Sequence, residues 1–341
     1  MVNEIAIFAR ACNPEYAVAP SHRARQGAAA RNHPAHLLDA LMFEADKAGW
    51  GKVQDRLVNV SGGILTMCAG VAFLVMNDAI AKVLTARYDP IQIIFVRNLF
   101  ATPMIAVLAV LLRGSGALRT RNLRLHAWRG LLMMLGAYFY FTSLSFLPLA
   151  EATALIFAAP IFITALSVPL LGESVGWRRW GAVILGFIGV LIVVQPGGST
   201  FQAASLLPVA AAFLYSIFMI TARWIHVTES MWTMMLYVVF FPLLYAAPFA
   251  FWEWVPLRGE DIWFFVAIAI CGSLGITLIG QAFRMAPAAV VAPFDYTALL
   301  WAAGLGWLIW GDVPMPWTIV GALVIMASGI IIVLREAALR K

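Results

Sequence analysis

The fold of this 341-residue chain is decided by the stretch LPLAEATALIFAAPIFITALSVPLLGESVGWRRWGAVILGFIGVLIVV, residues 147–194. It holds two apolar runs joined by a short polar turn that carries Arg178 and Arg179. Each run is long enough to cross a bilayer, which takes about 20 mostly apolar residues. A second copy starts at Ala286. The two copies correspond at Pro148 and Pro287, at Gly172 and Gly311, and at Glu173 and Asp312. A repeat of this length is too long for a solenoid and is typical of the two halves of a transporter.

The composition places the whole chain in a membrane. It is 62% hydrophobic and 12% charged, with a mean hydropathy of +0.87, whereas soluble domains carry about 25% charged residues. Apolar runs this long favour helices over barrel strands, which would alternate. The sequence pI of about 9.5 does not indicate nucleic-acid binding, because the basic residues lie in short loops between the runs.

We therefore predict an all-α membrane protein whose ten transmembrane helices form two inverted five-helix repeats. The predicted spans are 61–81, 91–112, 128–147, 150–171, 179–195, 204–224, 231–252, 262–283, 288–310 and 317–334. The first repeat covers residues 60–196, the second covers 203–334, and residues 335–341 form a cytoplasmic tail. Residues 1–59 are predicted to be a disordered tail, with Met42 as an alternative start.

The loop charges predict the orientation. One set of loops carries Arg113, Arg119, Arg121, Arg124, Arg129, Arg178, Arg179, Arg223 and Arg284, and the opposite set carries Lys82, Arg87 and Arg258. The richer set is expected to face the cytoplasm, with both termini, in a multi-pass protein of the inner (plasma) membrane. Five helices precede the second copy, so it enters the membrane in the opposite direction.

The paired motifs resemble two EamA domains of the drug/metabolite transporter superfamily. Pro160, Gly172, Glu173, Gly181 and Gly189 match the pattern in the first copy, whereas the second has Asp312 for the usual glutamate. Within the superfamily, the stretches 77–82, 128–141, 178–196 and 292–302 look most like the branch of S-adenosylmethionine uptake carriers. The resemblance implies that the first, third, fourth, sixth, eighth and ninth spans surround a central cavity.

Asp295 is the sharpest candidate for a functional residue, because an intramembrane charge is costly unless it is paired or used. It lies about two turns into the ninth span, beside Pro293, which frees backbone carbonyls, and before Tyr296. The carboxylate is expected to bind a cation or carry a coupling proton. The alternative is a salt bridge to Arg284.

The other substrate-binding candidates are Tyr296, Asp78, Asn77, Arg97, Tyr140, Tyr215 and Gln281. Asp78 and Arg97 lie at matching depths, so an ion pair between them is geometrically possible, with a purely structural role as the alternative. Aromatic side chains such as Tyr140 can stack on a flat ring or hold a cation over a ring face. Glu151 is expected to stabilise a helix N-terminus. Glu173 and Asp312 are expected to bond at helix ends.

These features predict a secondary transporter of a small polar or zwitterionic metabolite, similar to S-adenosylmethionine, working by alternating access. An exporter of amino acids or other metabolites and a flavin uptake carrier are alternatives, and a membrane-embedded transferase is a distant one. No catalytic residue, metal or cofactor is predicted, and no enzyme activity. The expected partners are the small-molecule substrate and the lipid bilayer, with a monomer or a homodimer both open.

Overall fold

The computed structural model describes residues 60–338 except 173–174, 197–200, 226–228 and 253. In these residues the chain forms helices and no β-strand. The helices are α1 Val60–Thr85, α2 Pro90–Arg113, α3 Leu123–Leu144, α4 Leu149–Ile156, α5 Ala159–Leu171, α6 Trp177–Val194, α7 Leu206–Thr221, α8 Met231–Ala250, α9 Ile262–Met285, α10 Ala288–Val291, α11 Ala298–Trp310 and α12 Pro316–Ala338. The predicted N-terminal tail (1–59) and Glu173 lie outside the described residues.

Eight segments of the described chain are long and apolar enough to cross a membrane. They include α4 and α5 taken together as Leu149–Leu171. The two expected spans that do not qualify are the third and the ninth. The helix of the third, α3, begins with Arg124, His126 and Arg129, which lower its hydropathy. The ninth is divided into segments too short to span alone.

Two of the predicted spans are interrupted in the structure. The fourth is interrupted at Phe157 and Ala158, and Pro160 lies in the first turn of α5, where its missing N–H costs nothing. In the ninth, a 3-10 segment, Ala292–Thr297, separates α10 from α11. Pro293 lies at the start of this segment, which confirms the predicted break there.

The helices pack in pairs that join the two copies. α1 packs along α9, α3 along α7, α2 along α8 and α6 along α12. Facing glycines allow close approach in two of these pairs: Gly70 meets Gly275 between α1 and α9, and Gly189 meets Gly321 between α6 and α12. Each helix of one copy has a counterpart in the other: α1 corresponds to α7, and α3 corresponds to α9. The α1–α9 pair is thus the counterpart of the α7–α3 pair. The packing therefore has an internal twofold relation.

The helix ends define two faces. We call the face where α1 ends and α2 begins the Lys82 face, and the one where α3 begins and α7 ends the Arg129 face. Arg129, expected in a loop, instead lies inside α3 with 1% of its surface exposed. Its Nη1 donates to the carbonyl of Phe218 at 2.8 Å and to Thr221 Oγ1 at 3.2 Å. The cation thus stabilises the C-terminus of α7.

A polar cluster around Glu229 joins two loops at the Arg129 face. Its carboxylate accepts from the Thr120 hydroxyl, the Asn122 amide (2.9 Å) and the backbone N–H of Arg121 (3.2 Å), and contacts His126 Nε2 at 2.6 Å. Burial acts to raise the pKa of Glu229, but the bonds from Thr120, His126 and Asn122 outweigh it and hold the pKa below its ordinary value. The cluster therefore holds the start of α8 against the segment before α3.

A corresponding contact joins loops at the Lys82 face. The Tyr88 hydroxyl donates to Asp261, and the side-chain amide of Gln92 bonds both the N–H and the carbonyl of Val255. Burial, together with the bond to Asp261, raises the pKa of Tyr88 to about 12, so its hydroxyl stays protonated and donates at physiological pH. At each face, hydrogen bonds thus join a segment of the first copy to a loop of the second copy.

Candidate functional site

The carboxylate of Asp295 lies in the 3-10 segment that interrupts the ninth predicted span, where it is half-buried. No hydrogen bond or ion pair joins it to any described residue. In particular, it forms no salt bridge with Arg284, which is exposed at the end of α9, so the structure does not support the alternative raised from the sequence. Inside a membrane, a carboxylate without a partner among the described residues is available to a ligand or a proton.

Tyr296, the neighbour of Asp295, is directed into packing contacts. Its side chain is 6% exposed, and its ring centroid lies 4.9 Å from that of Phe157, at the break of the fourth span. On the other side, its hydroxyl reaches α12 at Gly329, where a Cβ atom would lie 2.9 Å from Tyr296 Cζ and closer still to the hydroxyl oxygen. Tyr296 therefore joins the two helix breaks and anchors the turn that carries Asp295.

A second polar group surrounds Asp78 in α1. The Asn77 amide donates to Asp78 Oδ1 at 3.0 Å, and the Tyr140 hydroxyl of α3 donates to Asp78 Oδ2 at 3.2 Å. The Thr153 hydroxyl of α4 lies near Tyr140 and donates to the Leu149 carbonyl at 2.7 Å. Asn77 Oδ1 faces Gly272 of α9, is buried, and has no hydrogen-bond partner in the part of the chain that the structure describes. Three of the predicted site residues therefore form one cluster that connects α1, α3 and α4.

Arg97 lies beside this cluster but does not form the direct ion pair that its depth allowed. It interacts with Asp78 electrostatically, without a salt bridge between them in the described residues. Its guanidinium instead lies over the ring of Phe141, 5.8 Å from the centroid. The charges of Arg97 and Asp78 balance each other at a distance, which leaves each able to meet an opposite charge on a ligand.

The remaining candidates are more dispersed. Tyr215 packs near Phe218 in α7, with 6.0 Å between ring centroids. Gln281 is exposed late in α9. Glu151, expected at a helix N-terminus, lies in the first turn of α4 and accepts from Ser205 Oγ at 3.2 Å. The structure thus brings together the Asp78 group but does not place Tyr215 or Gln281 in contact with it.

The sequence did not single out Lys82, which lies at the end of α1. Its ammonium donates to the carbonyl of Leu147 at 2.9 Å and to Asp312 Oδ2 at 3.2 Å, and lies 4.8 Å from the centroid of the Trp310 ring. Asp312 does bond at a helix end, as predicted. Asp312 was noticed in the sequence because it aligns with Glu173 of the first copy. That alignment gave no indication that Lys82 is its partner.

Within the described residues, no cluster of three or more His, Cys, Asp or Glu side chains could hold a metal ion. In the described part of the helical bundle, the polar groups include carboxylates, the guanidiniums of Arg97 and Arg129, amides and hydroxyls. Such an arrangement can bind a charged or zwitterionic small molecule and can hold a proton on either carboxylate.

Comparison with known proteins identifies both copies. The EamA-like transporter family matches residues 61–195 and 202–334. The S-adenosylmethionine uptake transporter of Rickettsia prowazekii (strain Madrid E) is 26% identical over 83% of this chain and 96% of its own length. The riboflavin transporter of Vibrio cholerae is 30% identical, over 79% and 91%. A pseudopaline exporter of Pseudomonas aeruginosa is 27% identical, over 79% and 94%. One solved crystal structure shares the fold with a TM-score of 0.56 at 20% identity, covering 82% of this chain and 99% of that one.

Proposed function

This chain belongs to the EamA-like transporter family, and from that premise we propose that it is a secondary transporter of a small zwitterionic or cationic metabolite. The proposed carrier has ten spans in two inverted five-helix repeats and lies in the bacterial inner membrane with both termini in the cytoplasm. The third and ninth spans of this proposal are α3 and the broken segment 288–310. It works by alternating access around the mid-membrane polar groups.

The observation that carries the proposal is the carboxylate of Asp295, which has no partner among the described residues. In the apolar interior of a membrane, an ionised carboxylate without a partner is unfavourable, so either a cation or a proton is expected to neutralise it during transport. This carboxylate therefore favours a substrate that carries a positive charge.

The group around Asp78 supports a substrate with both charges. Arg97 can meet a carboxylate, while Asp78 and Asp295 can meet an ammonium or sulfonium group. S-adenosylmethionine has all three groups and an adenine ring that can stack on an aromatic side chain. The relatives named for S-adenosylmethionine uptake, riboflavin transport and pseudopaline export indicate the range of substrates in the family. We propose an S-adenosylmethionine-like molecule as the substrate.

Riboflavin uptake is the second candidate, favoured by the 30% identity to the Vibrio cholerae riboflavin transporter. Riboflavin has a flat ring system and no positive charge, so it would rely on stacking and hydrogen bonds. The two carboxylates within the spans would then lack an obvious role in recognition.

Export instead of uptake remains the third alternative, as in the relative that exports pseudopaline.

Uptake by purified protein in liposomes tests the proposal. Radiolabelled S-adenosylmethionine and riboflavin are offered separately, with and without an imposed pH gradient, to vesicles that contain the protein and to empty vesicles. The proposal predicts saturable uptake of S-adenosylmethionine whose rate changes when the pH gradient is imposed. Excess unlabelled riboflavin should not reduce this uptake. Saturable uptake of riboflavin alone would favour the second candidate, and uptake of neither compound above the empty vesicles would contradict the proposed substrate class.

A further inference from the structure

The two faces of the bundle are not equally closed. At the Lys82 face, α1 contacts α3 and α4, and α4 contacts α11. Leu149 Cβ of α4 lies 3.9 Å from the position that a Cβ at Gly306 of α11 would occupy. Leu147, Leu149 and Ala302 are all buried there, with 1% or less of their surface exposed. The ends of both copies therefore meet closely at this face.

The Arg129 face lacks the corresponding contacts. Exchanging the copies turns α1 into α7, α3 into α9, α4 into α10 and α11 into α5. Among the described residues, α7 makes no contact of similar extent with α9 or α10, and neither does α5 with α10. Since one copy is inverted relative to the other, a fully symmetric molecule would hold both sets of contacts. The conformation is therefore closed at the Lys82 face and more open at the Arg129 face.

Lys82 lies at the centre of this closure. Its ammonium bonds the Leu147 carbonyl in the turn between α3 and α4 and the Asp312 carboxylate that follows α11. Its side chain is 12% exposed, so water competes weakly for these bonds. A charge-assisted bond in such a setting is stronger than a neutral one. One residue of the first copy thus ties together the turn before the fourth span and the end of the ninth.

We propose that Lys82 is the gating residue that holds the Lys82 face closed, and that Asp312 is its partner in the second copy. The inference rests on the proposed alternating-access function, because only a carrier has to open this face. Opening requires the ammonium to leave both Leu147 and Asp312 and become hydrated. Removing the charge at position 82 is therefore expected to shift the population toward a conformation in which this face is open.

Disulfide formation between α4 and α11 measures the closure. In a protein whose native cysteines are replaced by serine, Leu149→Cys and Gly306→Cys place two cysteines at a Cβ separation of 3.9 Å. Disulfides have Cβ separations of about 3.8 Å, so oxidation is expected to be fast when the face is closed. A protease site inserted between the two copies makes the cross-link visible, because cleaved fragments stay together only when the disulfide has formed.

A matched control lies in the α3–α7 pair. Gly136→Cys and Leu214→Cys are separated by 3.8 Å between the added Cβ and the Cβ of Leu214. This pair is packed along its length and joins helices that need not separate when the Lys82 face opens. Each cysteine pair is oxidised under the same conditions in protein that retains Lys82 and in protein that carries Lys82→Met. Methionine keeps much of the apolar stem of the lysine side chain and removes its charge.

Lys82→Met is expected to slow oxidation of the Leu149–Gly306 pair about tenfold, in line with the loss of charge-assisted bonds, and to leave the Gly136–Leu214 pair unchanged. Equal rates for the first pair in both backgrounds would overturn the inference. Equal slowing of both pairs would also overturn it, because it would indicate general loosening of the fold. The assay needs no substrate, so it remains decisive even if the proposed transport activity is absent.

Discussion

Replacing Gly329 by alanine should disturb the turn that carries Asp295. The new Cβ atom would lie 2.9 Å from Tyr296 Cζ and closer still to the hydroxyl, so the ring has to move. Phe157 blocks its retreat, with a ring centroid 4.9 Å away. Overpacking of this kind costs about 1–3 kcal/mol of unfolding free energy. At about 2–4 °C per kcal/mol, the apparent Tm should fall by about 2–12 °C.

Thermal unfolding of the detergent-purified variants measures the effect. Gly304→Ala in α11 is the matched control, since a Cβ there meets no atom within 4 Å and the change should be neutral or slightly stabilising. Adding Tyr296→Phe to Gly329→Ala removes the nearest obstructing atom and should recover part of the lost Tm. Equal Tm values for Gly329→Ala and Gly304→Ala, or no recovery in the double variant, would refute the packing role of Tyr296.

Three further predictions test the loops and the tail. Because hydrogen bonds hold the pKa of Glu229 below its ordinary 4.5, its stabilising effect is present above that pH and is lost as the pH falls through the folded-state value. Glu229→Gln should therefore lower the Tm at pH 7, and a loss that does not shrink as the pH is lowered stepwise from 4.5 to the acid limit of the folded protein would contradict this reasoning. Single cysteines near Arg121 and Arg178 should react with impermeant reagents only from the cytoplasmic side, and one near Glu260 only from the periplasmic side, whereas the reverse pattern would overturn the proposed orientation. Starting the chain at Met42 should leave membrane insertion and uptake intact, and loss of either would show that residues 1–41 are needed.

Eight of the ten expected spans were predictable because each depends on local composition. The apolar runs, the matching prolines and glycines, and the break at Pro293 all follow from residue types and their spacing. The break at Phe157 was not predictable in the same way. Pro160 suits both the first turn of a new helix and a kink within a continuous one, and only packing against Tyr296 and α12 distinguishes the two.

The site was predictable only in part, because partners depend on tertiary packing. Matching depth correctly suggested that Asp78 and Arg97 are neighbours, but the carboxylate bonds Asn77 and Tyr140 instead of forming a direct salt bridge with the arginine. Lys82 looked like an ordinary loop charge, since its partners lie in turns distant in the sequence. Such pairings are not encoded in any local pattern.

The central claim is that Asp295 is a functional carboxylate of a transporter, and its replacement by asparagine tests this most directly. Asp295→Asn keeps the size and hydrogen-bonding capacity of the side chain but removes the charge and the titratable proton. Glu260→Gln, at a carboxylate that is 74% exposed in a loop, is the matched control. Uptake of labelled S-adenosylmethionine is measured in liposomes that contain equal amounts of folded protein. The account predicts that Asp295→Asn loses most of the uptake while Glu260→Gln retains it, and full uptake by Asp295→Asn would contradict it.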